Sequence, residues 1–203
     1  TAIMYSDWNA TSGSFGTTAY CYTSGALYVP TGASVILELN GHTVNRGLTS
    51  AVNNGFVIYV LGTLTIRDNS ATADNGTGGT GKITGGYSYN ACGGVNVPEG
   101  GVLNFESGEI TGNRSTGGEG GLSVYGHINM SGGSITNNVG GNSNAGGLGI
   151  CGGSLITGGV ISGNSAGFVS GFGWAPGNNL AYMEHKASNL IVTGNTGSPA
   201  IRA

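Results

Sequence analysis

The chain has 203 residues, of which 43 are Gly and only 7 % are charged, with a formal net charge of −3. Six scattered Lys and Arg do not supply the clustered positive charge of a nucleic-acid site, and no apolar run reaches the roughly 18 residues of a membrane span. With 4 Pro, no Gly-X-Y period and 38 % hydrophobic residues in ordered columns, collagen and flexible linker are set aside, and a folded chain with many tight turns remains.

Residues 1–32 carry Tyr5, Trp8, Phe15, Tyr20 and Tyr22 and read as an N-terminal cap segment. Residues 33–203 carry a repeat, and the whole reads as one domain. Leu37 and Leu39 flank Glu38, and Val44 follows. Next come Ile58 and Val60, Leu64 and Ile66, then Ile83. The same order returns as Val95/Val97, Leu103/Phe105, Ile110, and again as Leu122/Val124, Ile128/Met130, Ile135. It returns once more as Leu148/Ile150, Ser154/Ile156, Ile161, and Val192 closes the series. The i, i+2 alternation is a strand period. Gly-Gly, Asn-Gly and Ser-Gly pairs between the strands mark corners. Units of roughly 26 residues with three short strands and no helical pattern are coils of a parallel β-helix, whereas a propeller blade takes about 40. Apolar columns then stack at about 4.8 Å into one continuous core. Asn113, Asn138, Asn164 and Asn195 recur at one place in the unit, which predicts a side-chain amide ladder.

The stretches "GGVNVPEGGVLNFESGEITGNRS", "GGLSVYGHINMSGGSITNNVG" and "GGLGICGGSLITGGVISGNSA" resemble the Gly-rich repeats of right-handed parallel β-helix (pectin-lyase-like) regions in large surface proteins of Gram-positive gut bacteria. "VILELNGHTVN" resembles their lead-in and "NNLAYMEHKASNLIVTGN" their exit, so the resemblance spans roughly 33–195. It implies an all-β, right-handed parallel β-helix of about six to seven coils. It is specific for fold and weak for function, because that superfold hosts lyases, hydrolases, adhesins and tailspikes alike.

No paired acids of the kind glycoside chemistry uses stand out. Register places Glu106 one coil from Arg67 and Glu109 one coil from Lys82, as surface ladder pairs. Glu38 is expected outward, beside Thr65. Related lyases use clustered acids for calcium and a basic residue as base, and related hydrolases use clustered Asp; neither cluster is visible. Asp68 and Asp74, in "RDNSATADNGTGG", could hold calcium or simply make a solvated turn. His42, His127 and His185 read as surface or turn residues, so no catalytic residue and no metal ligand is assigned. Cys21, Cys92 and Cys151 are an odd count, and buried inert thiols are the simplest expectation.

Loops after the repeated motif vary in length while the strands do not: 86–91, 114–120, 139–146 and 165–179. They leave one corner and should line one edge, which in solenoids is often the binding face. That edge offers Tyr87, Tyr89, Arg114, Glu119, Asn142, Asn144, Phe168, Phe172 and Trp174. Aromatic faces and amides suit neutral sugars, and Tyr87, Tyr89, Arg114, Asn142, Asn144 and Trp174 are the candidate ligand-binding residues. The competing reading has Phe168, Phe172 and Trp174 folding over the open end of the solenoid. Outward positions Tyr59, Asn96, Ser123 and Gly149 are mixed, which argues against a flat Thr array of the ice-binding kind. The chain begins at Thr1 and reads as a processed or excised piece of a larger multidomain protein. The expectation is a non-catalytic module of a secreted or cell-surface bacterial protein, binding a host or plant glycan or a surface protein. A polysaccharide-acting enzyme and a structural spacer are the rivals.

Overall fold

A strand period of two, interrupted by corners, returns the chain onto itself once per repeat, so each strand lies parallel to its counterpart one coil away. The computed structural model describes residues 2–4, 7–9, 27–70, 80–167, 171–174, 183–196 and 201–202, with the backbone alone at 9, 172–174, 183–188 and 201–202. Its strands stack as an all-β parallel solenoid of about five turns, somewhat fewer than the six to seven expected. The shortfall lies at the ends, where the outer passes are only partly described.

Each coil presents three faces. The first face is built from Ser34–Glu38, Thr63–Arg67, Val102–Phe105, His127–Met130 and the start of Gly153–Ser162. The second holds Thr43–Asn45, Lys82–Thr84, Glu109–Thr111, Ser134–Thr136 and the end of Gly153–Ser162. The third holds Leu27–Val29, Ile58–Val60, Val95–Val97, Leu122–Val124 and Leu148–Ile150, with Phe172–Trp174 beyond. Ala2–Ile3, Trp8–Asn9 and Leu27–Val29 pair in parallel with the next coil, so these described parts of 1–32 continue the sheets.

The expected columns are the core. Ile83, Ile110, Ile135 and Ile161 are fully buried, as are Leu64, Leu103 and Ile128 and the set Val95, Leu122 and Leu148. Each such side chain contributes roughly 1.5–3 kcal/mol relative to an exposed position. Two residues after the second-face column the backbone turns left-handed in every coil: Gly85, Gly112, Asn137, Gly163 and Gly194 all have positive φ. Asn137 is the one non-Gly residue in that slot, and Asn tolerates this region better than other side chains.

The amide ladder is present. Asn113 donates through its backbone N–H (3.0 Å) and Nδ2 (3.1 Å) to the Oδ1 of Asn138. Asn138 makes the same pair of bonds to Asn164 (2.9 and 3.0 Å), and Asn164 makes it to Asn195 (2.9 and 3.0 Å). Each Nδ2 also reaches the carbonyl of the column Ile on the preceding coil, as Asn138 does to Ile110 at 2.9 Å. The ladder begins at Asn113, whose Oδ1 accepts from Gly86 N at 3.0 Å. Gly86 holds the equivalent place on its own coil, and a Cβ there would overlap the Gly93 carbonyl oxygen.

One register differs from the sequence expectation. Val35 pairs with Leu64 and Leu37 with Ile66, so the first strand sits two residues from the alignment of Leu37 with Leu64 and Leu39 with Ile66. A two-residue slip keeps the same side chains inward, so the apolar pattern could not decide it. Charge decides it: Glu38 now lies opposite Arg67 rather than beside Thr65, and Arg67 Nε meets Glu38 Oε2 at 2.9 Å. Leu39 turns into the corner between faces and is completely buried there. Arg67 is therefore committed to Glu38 on the preceding coil, and the expected pair with Glu106, which is exposed, is replaced. Glu109 and Lys82 do stack in register, 3.9 Å apart.

Candidate functional site

The unequal loops leave one corner, and their first residues build a fourth short ladder. Val52 bridges Ser88, Tyr87–Ser88 pairs with Arg114–Ser115, Arg114 bridges Val139, Val139 bridges Ser165, and Ser165 bridges Thr196. The corner edge is thus a regular line of backbone from which the remaining loop residues project.

A groove of about 270 Å³ opens on this edge, lined by Tyr87, Arg114, Ser115, Thr116, Val139, Gly140, Gly141 and Asn142. The Arg114 guanidinium lies over the Tyr87 ring, 5.2 Å from its centroid. Such a contact is worth about 0.5–1 kcal/mol at an exposed site, and it holds the guanidinium plane beside the ring. Arg114 makes no ion pair among the described residues, whereas Arg67 and Lys82 each face a carboxylate. The Thr116 hydroxyl donates to the Tyr89 carbonyl at 3.3 Å, leaving its lone pairs toward solvent. The groove therefore offers one aromatic ring, one cation, two hydroxyls and an exposed amide.

Of the six candidate residues, Tyr87, Arg114 and Asn142 come together here. Tyr89 is on the same edge and 64 % exposed, but it is outside the groove lining. Asn144 is tied into the scaffold, donating to the Gly117 carbonyl at 3.1 Å. Trp174 pairs with Ile150 on the third face, so its register position is a core column and not the corner loop. Phe172 likewise pairs with Leu148, and Phe168 lies outside the described residues. Ser115, Thr116, Gly140 and Gly141 were not singled out by sequence. The signal for them was the equal offset of Ser88, Ser115 and Val139 from the motif, which marks a further ladder.

A second polar feature lies on the outer side of the third face. Phe56 and Cys92, with Tyr59 and Ala91 against them, form a small apolar layer there. Phe56 stacks on Tyr59 with ring centroids 5.1 Å apart. Next to that layer sits Glu119, half-buried over Gly149. Burial pushes its carboxyl above the usual carboxylate range, opposed by its own backbone N–H and the Ser123 hydroxyl. The same burial pushes up the Cys92 and Cys151 thiols, and the Glu119 charge adds to both. Both cysteines are free, and Cys21 lies outside the described residues.

The other acids are individually occupied. Glu38 accepts from Arg67 and from Asn69 N (2.8 Å). Glu109 accepts from the Thr136 hydroxyl. Asp68 accepts from the backbone N–H of Gly41 (2.8 Å), Gly81 (2.7 Å) and Ser70 (3.3 Å), so it clasps the turn on both sides. Asp74, the other half of the calcium expectation, lies outside the described residues. Among the described residues no three His, Cys, Asp or Glu converge as a metal-binding group. His42 rests 3.4 Å from Asp7, and His127 3.0 Å from Asn129, far apart on separate coils. No family model, curated protein or solved structure matches this chain.

Proposed function

We propose that this chain is a non-catalytic glycan-binding or adhesion module of a secreted or cell-surface bacterial protein. We further propose that its solenoid is of the pectin-lyase-like kind found in large Gram-positive surface proteins, and that it works as one part of a multidomain chain. The observation that carries the reading is the corner groove, where the Tyr87 ring and the Arg114 guanidinium stand side by side above Thr116 and Asn142. A ring of this kind stacks on the C–H face of a sugar, while amide, guanidinium and hydroxyl groups pair with its hydroxyls. Shallow, open geometry suits an extended glycan chain better than an enclosed reaction. The described carboxylates support binding over hydrolysis, since Glu38, Asp68 and Glu109 are spent on scaffold contacts.

A glycan array probed with the purified chain tests this. Selective retention of plant or host glycans is expected, with Tyr87→Ala and Arg114→Ala each weakening it about tenfold or more, or about 1.4 kcal/mol. Both variants should keep the wild-type melting temperature, because neither side chain is in the core. Retention unchanged in both variants would move the site away from this groove. Silence of the wild type on a broad array would favour the spacer, and release of reducing ends or unsaturated products would favour an enzyme.

A further inference from the structure

Gly149 stands in the middle of a third-face strand, at an outward position where glycine is otherwise unfavourable. A Cβ there would lie 2.6 Å from Glu119 Cγ and 2.8 Å from Oε1. The carboxyl of Glu119 therefore lies flat on the sheet, in a space that exists because Gly149 has no side chain. The groups facing it are Ser123, whose hydroxyl donates to it, the Cys92 and Cys151 thiols, and Tyr125. Glu119 makes no ion pair among the described residues, in contrast to Glu38 with Arg67 and Glu109 with Lys82.

This carboxyl anchors the strap that frames the corner groove. The Glu119 carbonyl accepts from Gly93 N at 2.9 Å, and the Gly118 carbonyl accepts from Gly141 N at 2.9 Å. The Gly117 carbonyl accepts from Asn144 Nδ2 at 3.1 Å. Ser115 Oγ holds the N–H groups of Gly117 (3.2 Å) and Gly118 (2.7 Å). Gly140, Gly141 and Asn142, one wall of the groove, thus hang on residues 115–119.

We propose that Glu119 is a proton-operated latch: its neutral carboxyl seats the strap on Gly149, and its ionisation loosens the strap and the groove wall tied to it. The direction follows from burial. The folded-state value is raised, so the stabilisation is fully present below the ordinary carboxylate range. It is lost as pH rises through the elevated value. The groove is then best ordered in a mildly acidic medium. That consequence for ligand affinity rests on the glycan-binding reading; the latch itself does not.

Amide hydrogen exchange, corrected for the intrinsic rate and measured at about pH 5 and about pH 7.5, tests the latch. Protection of Gly93 and Gly141 should fall several-fold at the higher pH, while the ladder amide of Asn138 keeps its protection. Glu119→Gln preserves the shape and should flatten the dependence at the protected level. Gly149→Ala displaces the carboxyl into water and should flatten it at the unprotected level. Flat exchange in the wild type, or an undiminished pH dependence in Glu119→Gln, overturns the latch. Exchange decides this whether or not a glycan is found. If a glycan binds equally at both pH values while exchange changes, the regulatory consequence falls and the latch stands.

Discussion

Asn138 and Asn142 leave the same corner of the same coil, and they meet opposite fates. Asn138 is completely buried, with its Oδ1 and Nδ2 both bonded to neighbouring coils. Asn142 is exposed on the groove. The difference is not residue type but repetition. Where the next coil offers the same residue at the same place, an amide donates on one side, accepts on the other, and becomes structure. Where the loops differ in length, no counterpart faces it, and its polar groups stay turned to water.

The largest expected effect comes from cutting the ladder. Asn138→Ala leaves the Asn113 donors and the Ile110 carbonyl without partners. Unsatisfied buried groups cost about 1–3 kcal/mol each, so urea unfolding should show a loss of about 3 kcal/mol. Asn142→Ala should change stability by less than about 0.5 kcal/mol. Equal losses would break the distinction between ladder and loop.

The same contrast applies to charge. Glu38 is buried beneath its contacts with Arg67 and Asn69, while Lys82 and Glu109 sit further apart with Lys82 exposed. Arg67→Ala strands a buried carboxylate and should cost about 2 kcal/mol. Lys82→Ala should cost less than about 0.5 kcal/mol and depend on salt. Comparable effects in the two variants would mean that Glu38 keeps its hydration.

A smaller effect sharpens the picture of the third face. The Glu119 charge helps hold the Cys151 thiol above its ordinary range. Glu119→Gln removes that charge, so at mildly alkaline pH more thiolate forms and Cys151 should alkylate about two- to threefold faster. Site-resolved mass spectrometry reads this directly; an unchanged rate would place the carboxyl too far from the sulfur to matter.

Much of the scaffold was legible because repetition writes it several times over. The columns through Ile110, Val95 and Leu103 and the ladder through Asn113 follow from spacing alone, since identical coils stack in register. The first strand was misaligned because Val35, Leu37 and Leu39 share one parity, and only the Glu38–Arg67 contact distinguishes the two alignments. In the site, Tyr87, Arg114 and Asn142 were found as loop residues at a common offset. Tyr89 and Asn144 belonged to the same loops but not to the groove. Trp174 was read as loop, although its backbone pairs with Ile150. Glu119 was noticed only as one more edge residue, because the space that receives it belongs to Gly149, a coil away.

What the sequence determined by itself is therefore the period: strands two residues in alternation, coils stacked in parallel, a buried aliphatic interior and an amide ladder along one corner. These depend on each coil meeting a near copy of itself, and a copy is visible in one dimension. The tertiary structure alone decided where unlike residues meet. The Arg114–Tyr87 pair, the clasp of Asp68 on Gly41 and Gly81, and the seat of Glu119 on Gly149 join positions that no repeat relates. Their geometry depends on how loops of different length close over the same regular edge.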